Sequence, residues 1–108
     1  MPNGVDSEDL RGGEGQIAAR GDWVTVRYDG YVQQGDLFQT RVTCSFRLHR
    51  RDVIPGLVYG IASMRVGGRR RIRISPYLAY GATGVPGLIP PQAVLVFDLE
   101  LLGVKAAG

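Results

Sequence analysis

Only one stretch of this 108-residue sequence has helical spacing, and alternating stretches flank it on both sides. In IPGLVYGIASMRVGG (54–68), Pro55 suits the first helical position and Leu57, Ile61 and Met64 recur at helical intervals. Gly67 and Gly68 end the run. A helix this short, carrying Gly60, is marginal alone and has to be held by packing. The flanking stretches read as strands. WVTVRYDGYV (23–32) sets Val24, Val26, Tyr28 and Val32 on one face and Thr25, Arg27 and Asp29 on the other. QQGD (33–36) is a turn, after which 37–39 return antiparallel. SFRLH points Phe46 and Leu48 inward, and RRRIRIS does the same with Ile72 and Ile74. In AVLVFDLELL (93–102), Leu95, Phe97, Leu99 and Leu101 face a core while Asp98 and Glu100 face water. An apolar sheet face with one helix to cover it predicts an α+β fold. Its form is a curved antiparallel sheet of four to five strands wrapped over one short helix.

The length suits one domain, which removes roughly two-thirds of its unfolded surface from water and needs no metal or disulfide. Cys44 is the only cysteine, so no disulfide forms within the chain, and it reads as a small half-buried apolar residue. The first fifteen residues are polar and acidic, without the apolar centre of a signal peptide, and no apolar run is long enough to span a membrane. The expectation is a soluble protein of a reducing compartment, the cytoplasm. The net charge of +3 is unevenly spread: acids crowd the start and arginines the middle. The arginine run is one candidate for a nucleic-acid patch. A solvated outer face bearing Arg71 and Arg73 is preferred.

Conventional chemistry is nearly absent. His49 is the only histidine and reads as a surface residue; no nucleophile–base pair, phosphate-cradling glycine pattern or metal-ligand spacing is present. No cofactor is expected. What remains is apolar: Tyr28, Phe38, Phe46, Tyr80 and Phe97 could converge at one mouth of the sheet–helix sandwich. Beside them runs AYGATGVPGLIPP (79–91), a connection stiffened by three prolines and lined with apolar side chains.

Ser75–Leu102, with that connection at its centre, resembles the C-terminal signature of FKBP-type peptidyl-prolyl cis–trans isomerases. GDWVTVRYDGYVQQGDLF (21–38) and FRLHRRDVIPGLVYGIASMRVGGRRRIRIS (46–75) resemble the family's strand–turn–strand and helix regions. The resemblance covers 14–104. It leaves 1–13 as a polar segment that could supply a first edge strand, and 105–108 as a tail. It implies isomerisation of Xaa–Pro bonds, assistance to protein folding, and proline-containing peptides or clients as partners. Tyr80, Tyr28 and the Ile54 N–H would be the catalytic groups, with Phe38, Gln39, Phe46, Val53, Leu57, Ile89 and Phe97 lining the substrate site.

Three departures from the family bear on activity. Gln39 stands where the family carries an aspartate, Leu57 stands where it has a floor tryptophan, and Thr40–Ser45 is shorter, removing an aromatic near Cys44. These predict isomerase activity below a typical member and weak macrolide affinity. A catalytically weak binding module of the same fold is the alternative. Val58 and Tyr59 replace acidic helix residues, either as an association surface or as local packing against the arginine-rich strand; packing and a monomer are preferred.

Overall fold

The computed structural model describes residues 4–33 and 35–106. Residues 1–3 of the polar segment, Gln34 of the expected turn and 107–108 of the tail lie outside the described residues. Five strands form one sheet: β1 (Val5–Arg11), β2 (Trp23–Val32), β3 (Leu37–Arg47), β4 (Arg69–Ile74) and β5 (Leu95–Lys105), in the spatial order β1-β4-β5-β2-β3. Every neighbouring pair is antiparallel. Among the described residues, one helix, α1 (Pro55–Ile61), and a short 3₁₀ turn (Pro76–Leu78) accompany the sheet, in the α+β arrangement the alternation predicts.

Strand alternation sets the core. Val24, Val26, Ile72, Ile74, Leu95, Phe97, Leu99 and Leu101 are all buried, and Leu57 and Ile61 press onto them from α1. Burying one such side chain is worth about 1.5–3 kcal/mol, against about 1 kcal/mol or less for an exposed ion pair, so the inner face governs register. Gly56 and Gly60, one helical turn apart, lie on Ile74 and Ile72, where a Cβ at either glycine would collide with the isoleucine side chain. The glycine that weakens the helix by propensity is what lets it sit close to β4.

Helix α1 ends at Ile61 instead of running on through Met64. Ser63 takes φ +79°, a left-handed conformation through which a helix does not continue. The released backbone pairs with residues 16–18: Ser63 N–H donates to the Ala18 carbonyl (2.9 Å), Ala18 N–H to the Met64 carbonyl (2.8 Å) and Val66 N–H to the Gln16 carbonyl (3.0 Å). Met64 is still buried, from the loop and not from the helix.

In the arginine run, Arg71 and Arg73 lie on the outer face as expected, and Arg70 lies on the inner one. Arg70, in phase with Ile72 and Ile74, is only 8% exposed. Its Nη1 donates to the Gly60 carbonyl at 2.9 Å and the Ala62 carbonyl at 3.4 Å, and its Nε to Asp9 Oδ1 at 2.6 Å. The last carbonyls of a helix lack partners within it, and a guanidinium carries enough donors to serve several at once. Arg71 does face outward, bridging Asp98 on β5 (2.7 Å) and Glu8 on β1 (3.7 Å).

Segments 37–39 and 45–49, read separately from the sequence, belong to one eleven-residue strand up to Arg47, with Leu48 buried just beyond it. Val58 is 2% exposed, and Arg20 lies over the Tyr59 ring at 5.4 Å, so these helix residues pack locally. The arginine involved comes from the loop before β2 rather than from the arginine-rich strand.

Candidate active site

The site grows from an irregular pairing of β2 with β3. Thr40 and Arg41 together stand against Asp29, and Phe38 has no opposite residue, falling between the Gly30–Gln39 and Tyr31–Leu37 pairs. Such bulges twist a strand and re-aim its side chains. Asp29 Oδ1 locks the first of them, accepting the Arg41 N–H at 2.7 Å and the Thr40 hydroxyl at 3.2 Å, while Arg41 takes φ +50°. Phe38 and Gln39, adjacent in sequence, consequently both engage site residues.

Phe97 is the hub. Its ring meets Tyr28 edge-on at 5.4 Å and Phe38 at 5.8 Å, perpendicular arrangements favoured by aromatic quadrupoles. Gly30 makes this approach possible, because a Cβ there would come within 2.8 Å of the Phe38 ring and 3.1 Å of Phe97. The Tyr28 hydroxyl donates to Gln39 Oε1 at 2.9 Å. Burial pushes the Tyr28 phenol up to about 12, with the Cys44 thiol and Tyr80 hydroxyl adding and the Gln39 bond opposing. At neutral pH it is therefore a protonated donor. Cys44, on β3 beside this group, has its thiol pushed up by burial, which keeps it from being a ready nucleophile.

The other predicted residues arrive from α1 and the 79–91 connection. Ile54 caps α1 with extended backbone (φ −57°, ψ 143°). Its carbonyl accepts the Leu57 N–H at 3.0 Å, while its own N–H has no protein acceptor among the described residues. Leu57 and Ile89 are buried in the same core cluster as Phe97, with Val53 and Ile54 half-buried against it. Ile89 is held by a two-way bond with Val85, N–H to carbonyl at 2.8 Å in each direction. Gly84 underlies this reversal at φ +68°, and a Cβ there would strike the Ile89 and Pro90 carbonyls. Tyr80 is 41% exposed and its hydroxyl makes no hydrogen bond among the described residues.

Phe46 stands apart. It pairs with Val24, four residues along β2 from Tyr28 and about 14 Å away at a strand's rise. No ring contact joins it to the other three aromatics among the described residues. The inner-face residue between them on β3 is Cys44. Asp29 and Gly30 were not singled out from sequence as site residues, although an Asp-Gly pair inside an alternating strand is a recognisable bulge signal.

Residues 14–102 match the family model for the FKBP-type peptidyl-prolyl cis-trans isomerase. The chain belongs to that family. FK506-binding protein 4 of Dictyostelium discoideum is 44% identical over 104 residues, covering 94% of this chain and 29% of the relative. The 46 kDa FK506-binding nuclear protein of Spodoptera frugiperda is 44% identical over 109 residues, covering 97% and 26%. This FKBP chain thus spans under a third of the length of either relative. Among solved structures, AtFKBP13 superimposes with a TM-score of 0.88 at 34% identity, covering 96% of this chain and 95% of that one. The peptidyl-prolyl cis-trans isomerase of Pseudomonas syringae pv. tomato gives 0.86 at 33% identity, covering 94% and 76%. No helix among the described residues is long and apolar enough to cross a membrane.

Proposed function

We propose that this FKBP domain isomerises Xaa–Pro bonds of protein clients and so assists their folding. Tyr28, Tyr80 and the Ile54 N–H orient the peptide, and Phe38, Gln39, Phe46, Val53, Leu57, Ile89 and Phe97 line the site, Phe46 at its far end. The observation that carries this reading is the three-ring cluster around Gly30, with a free hydroxyl and a free backbone N–H on neighbouring elements.

The reaction suits such a site. Amide resonance raises a barrier of about 18–20 kcal/mol to rotation. The planar amide is more charge-separated than the twisted one, so replacing water by aromatic and aliphatic walls disfavours the ground state more than the transition state. Donors on a stiff frame then hold the flanking carbonyls without further ordering. Gln39 accepts from Tyr28 as a carboxylate would, but contributes no charge. Leu57 offers no flat indole floor. Turnover slower than that of a typical family member and weak macrolide binding follow from these two residues and from the short β3 wall. We further infer that the domain acts as a monomer in a reducing compartment, the cytoplasm, which suits its single free Cys44.

Exchange spectroscopy on Xaa–Pro peptides, with a macrolide titrated in, tests the reading. Measurable acceleration that falls at least severalfold in Tyr80→Phe is expected. Absence of acceleration overturns it, and a rate equal to a standard family member overturns the prediction of reduced activity.

A further inference from the structure

Charge is distributed unevenly around the candidate site. From Ser75 to Phe97, the wall that carries Tyr80 and Ile89 contains no Asp, Glu, Lys, Arg or His. On the β3 wall Gln39 is neutral, Asp29 is committed to the bulge, Arg41 lines the outer-face cleft with Arg27, Arg69, Asp98 and Glu100, and Asp36 is the one carboxylate of the β2–β3 turn. The remaining approach is the turn between β3 and α1, which delivers Val53 and Ile54 and carries Arg50 and Arg51.

That turn is pinned. Asp52 N–H and Val53 N–H both donate to the His49 carbonyl (2.9 and 3.2 Å), Arg51 N–H donates to His49 Nδ1 (3.1 Å), and Gly21 N–H holds the Leu48 carbonyl (3.0 Å). Its one acid, Asp52, is taken by Arg47 at 3.5 Å. Arg50 and Arg51 are exposed, and neither guanidinium has a hydrogen bond or ion pair among the described residues. Arg50 lies three residues from Val53, so its Cα is within about 11 Å of that site residue. At low ionic strength, where the screening length exceeds about 10 Å, two uncompensated cations on a fixed turn act on any charge a bound peptide brings.

We propose that Arg50 and Arg51 select proline segments with acidic residues flanking the Xaa–Pro bond. The inference takes the peptide's location from the isomerase reading above, and deepens it by naming the substrate class. An extended peptide held near Val53 and Ile54 passes the arginine corner within one or two residues of the proline, whereas the uncharged 75–97 wall leaves an acidic side chain unopposed. A basic flank meets the same two cations and is repelled.

Three matched peptides differing only in Glu, Ala or Lys on either side of a Leu-Pro pair separate the possibilities. Both isomerisation and binding are measured, the latter by anisotropy of a labelled peptide. The Glu peptide is expected to exceed the Lys peptide by roughly three- to tenfold in kcat/KM or affinity at low salt, converging at high salt. In R50Q/R51Q the Glu-to-Lys ratio falls toward one at low salt; because the ratio is the readout, a general loss of folded protein does not imitate the effect. Equal handling of Glu and Lys peptides overturns the proposal, as does a ratio that the double variant leaves unchanged. Salt-sensitive retention of an oligonucleotide by these arginines without peptide discrimination overturns it in favour of a general polyanion site. Acidic preference in binding without any turnover supports the inference and counts against the isomerase reading alone.

Discussion

Gln39 and Tyr28 form the pair on which site polarity turns. With a neutral amide accepting the Tyr28 hydroxyl, the phenol keeps its proton to about 12, mainly because it is buried. The unfolded phenol ionises near 10.0, so the stabilisation is complete below that pH and is lost as pH climbs through the folded value. Ultraviolet titration should show a late tyrosinate that is absent from Tyr28→Phe, and denaturation midpoints should begin to fall above about pH 10. Gln39→Asp restores a charged acceptor without changing chain length at the bulge. Isomerisation should rise severalfold; an unchanged rate would show that charge at this position does not matter here.

Among the elements, α1 depends most on its surroundings. Gly60→Ala improves helix propensity by about 1 kcal/mol, yet it drives a methyl into Ile72, and overpacking costs about 1–3 kcal/mol. The expected outcome is a net loss of stability in urea, the opposite of the propensity prediction. Arg70→Ala strips donors from the helix-end carbonyls and should cost about 2–3 kcal/mol, most of it from those carbonyls because its partner Asp9 is 64% exposed. Arg71→Ala, which removes a half-exposed guanidinium from a surface network, should cost about 1 kcal/mol or less. Parallel denaturation curves with unchanged slopes would permit that comparison.

At the scale of the whole molecule, an acidic edge strand lies against a basic one. Glu8 and Asp98 flank Arg71, and Arg11 and Arg27 share Glu100, all on the outer face. These pairs are at least partly solvated, so about 0.5 M salt should change unfolding free energy by about 1 kcal/mol or less. Stability that scarcely responds to salt, beside peptide discrimination that does, would separate the structural charges from those around the site.

β2, β4 and β5 and their inward faces were legible in the sequence because period-two alternation is local; β1, with only Val5 buried, and the bulged middle of β3 carry no such signal. Residues 79–91 were legible because prolines and glycines restrict their own backbone. The family was legible for the same reason, since its signature lies in contiguous segments. Tertiary structure alone decided where α1 stops, since the Ser63 reversal is held by Ala18, far away in the chain. It decided how Arg70, which alternation sets on the inner face, is satisfied there, because the carbonyls it serves belong to another element. It also decided that Phe38 and Gln39 both engage site residues, through a bulge that exists only when β2 and β3 pair. Alternation and backbone restriction are properties of neighbours in sequence; these three outcomes depend on partners that meet only when the chain has folded.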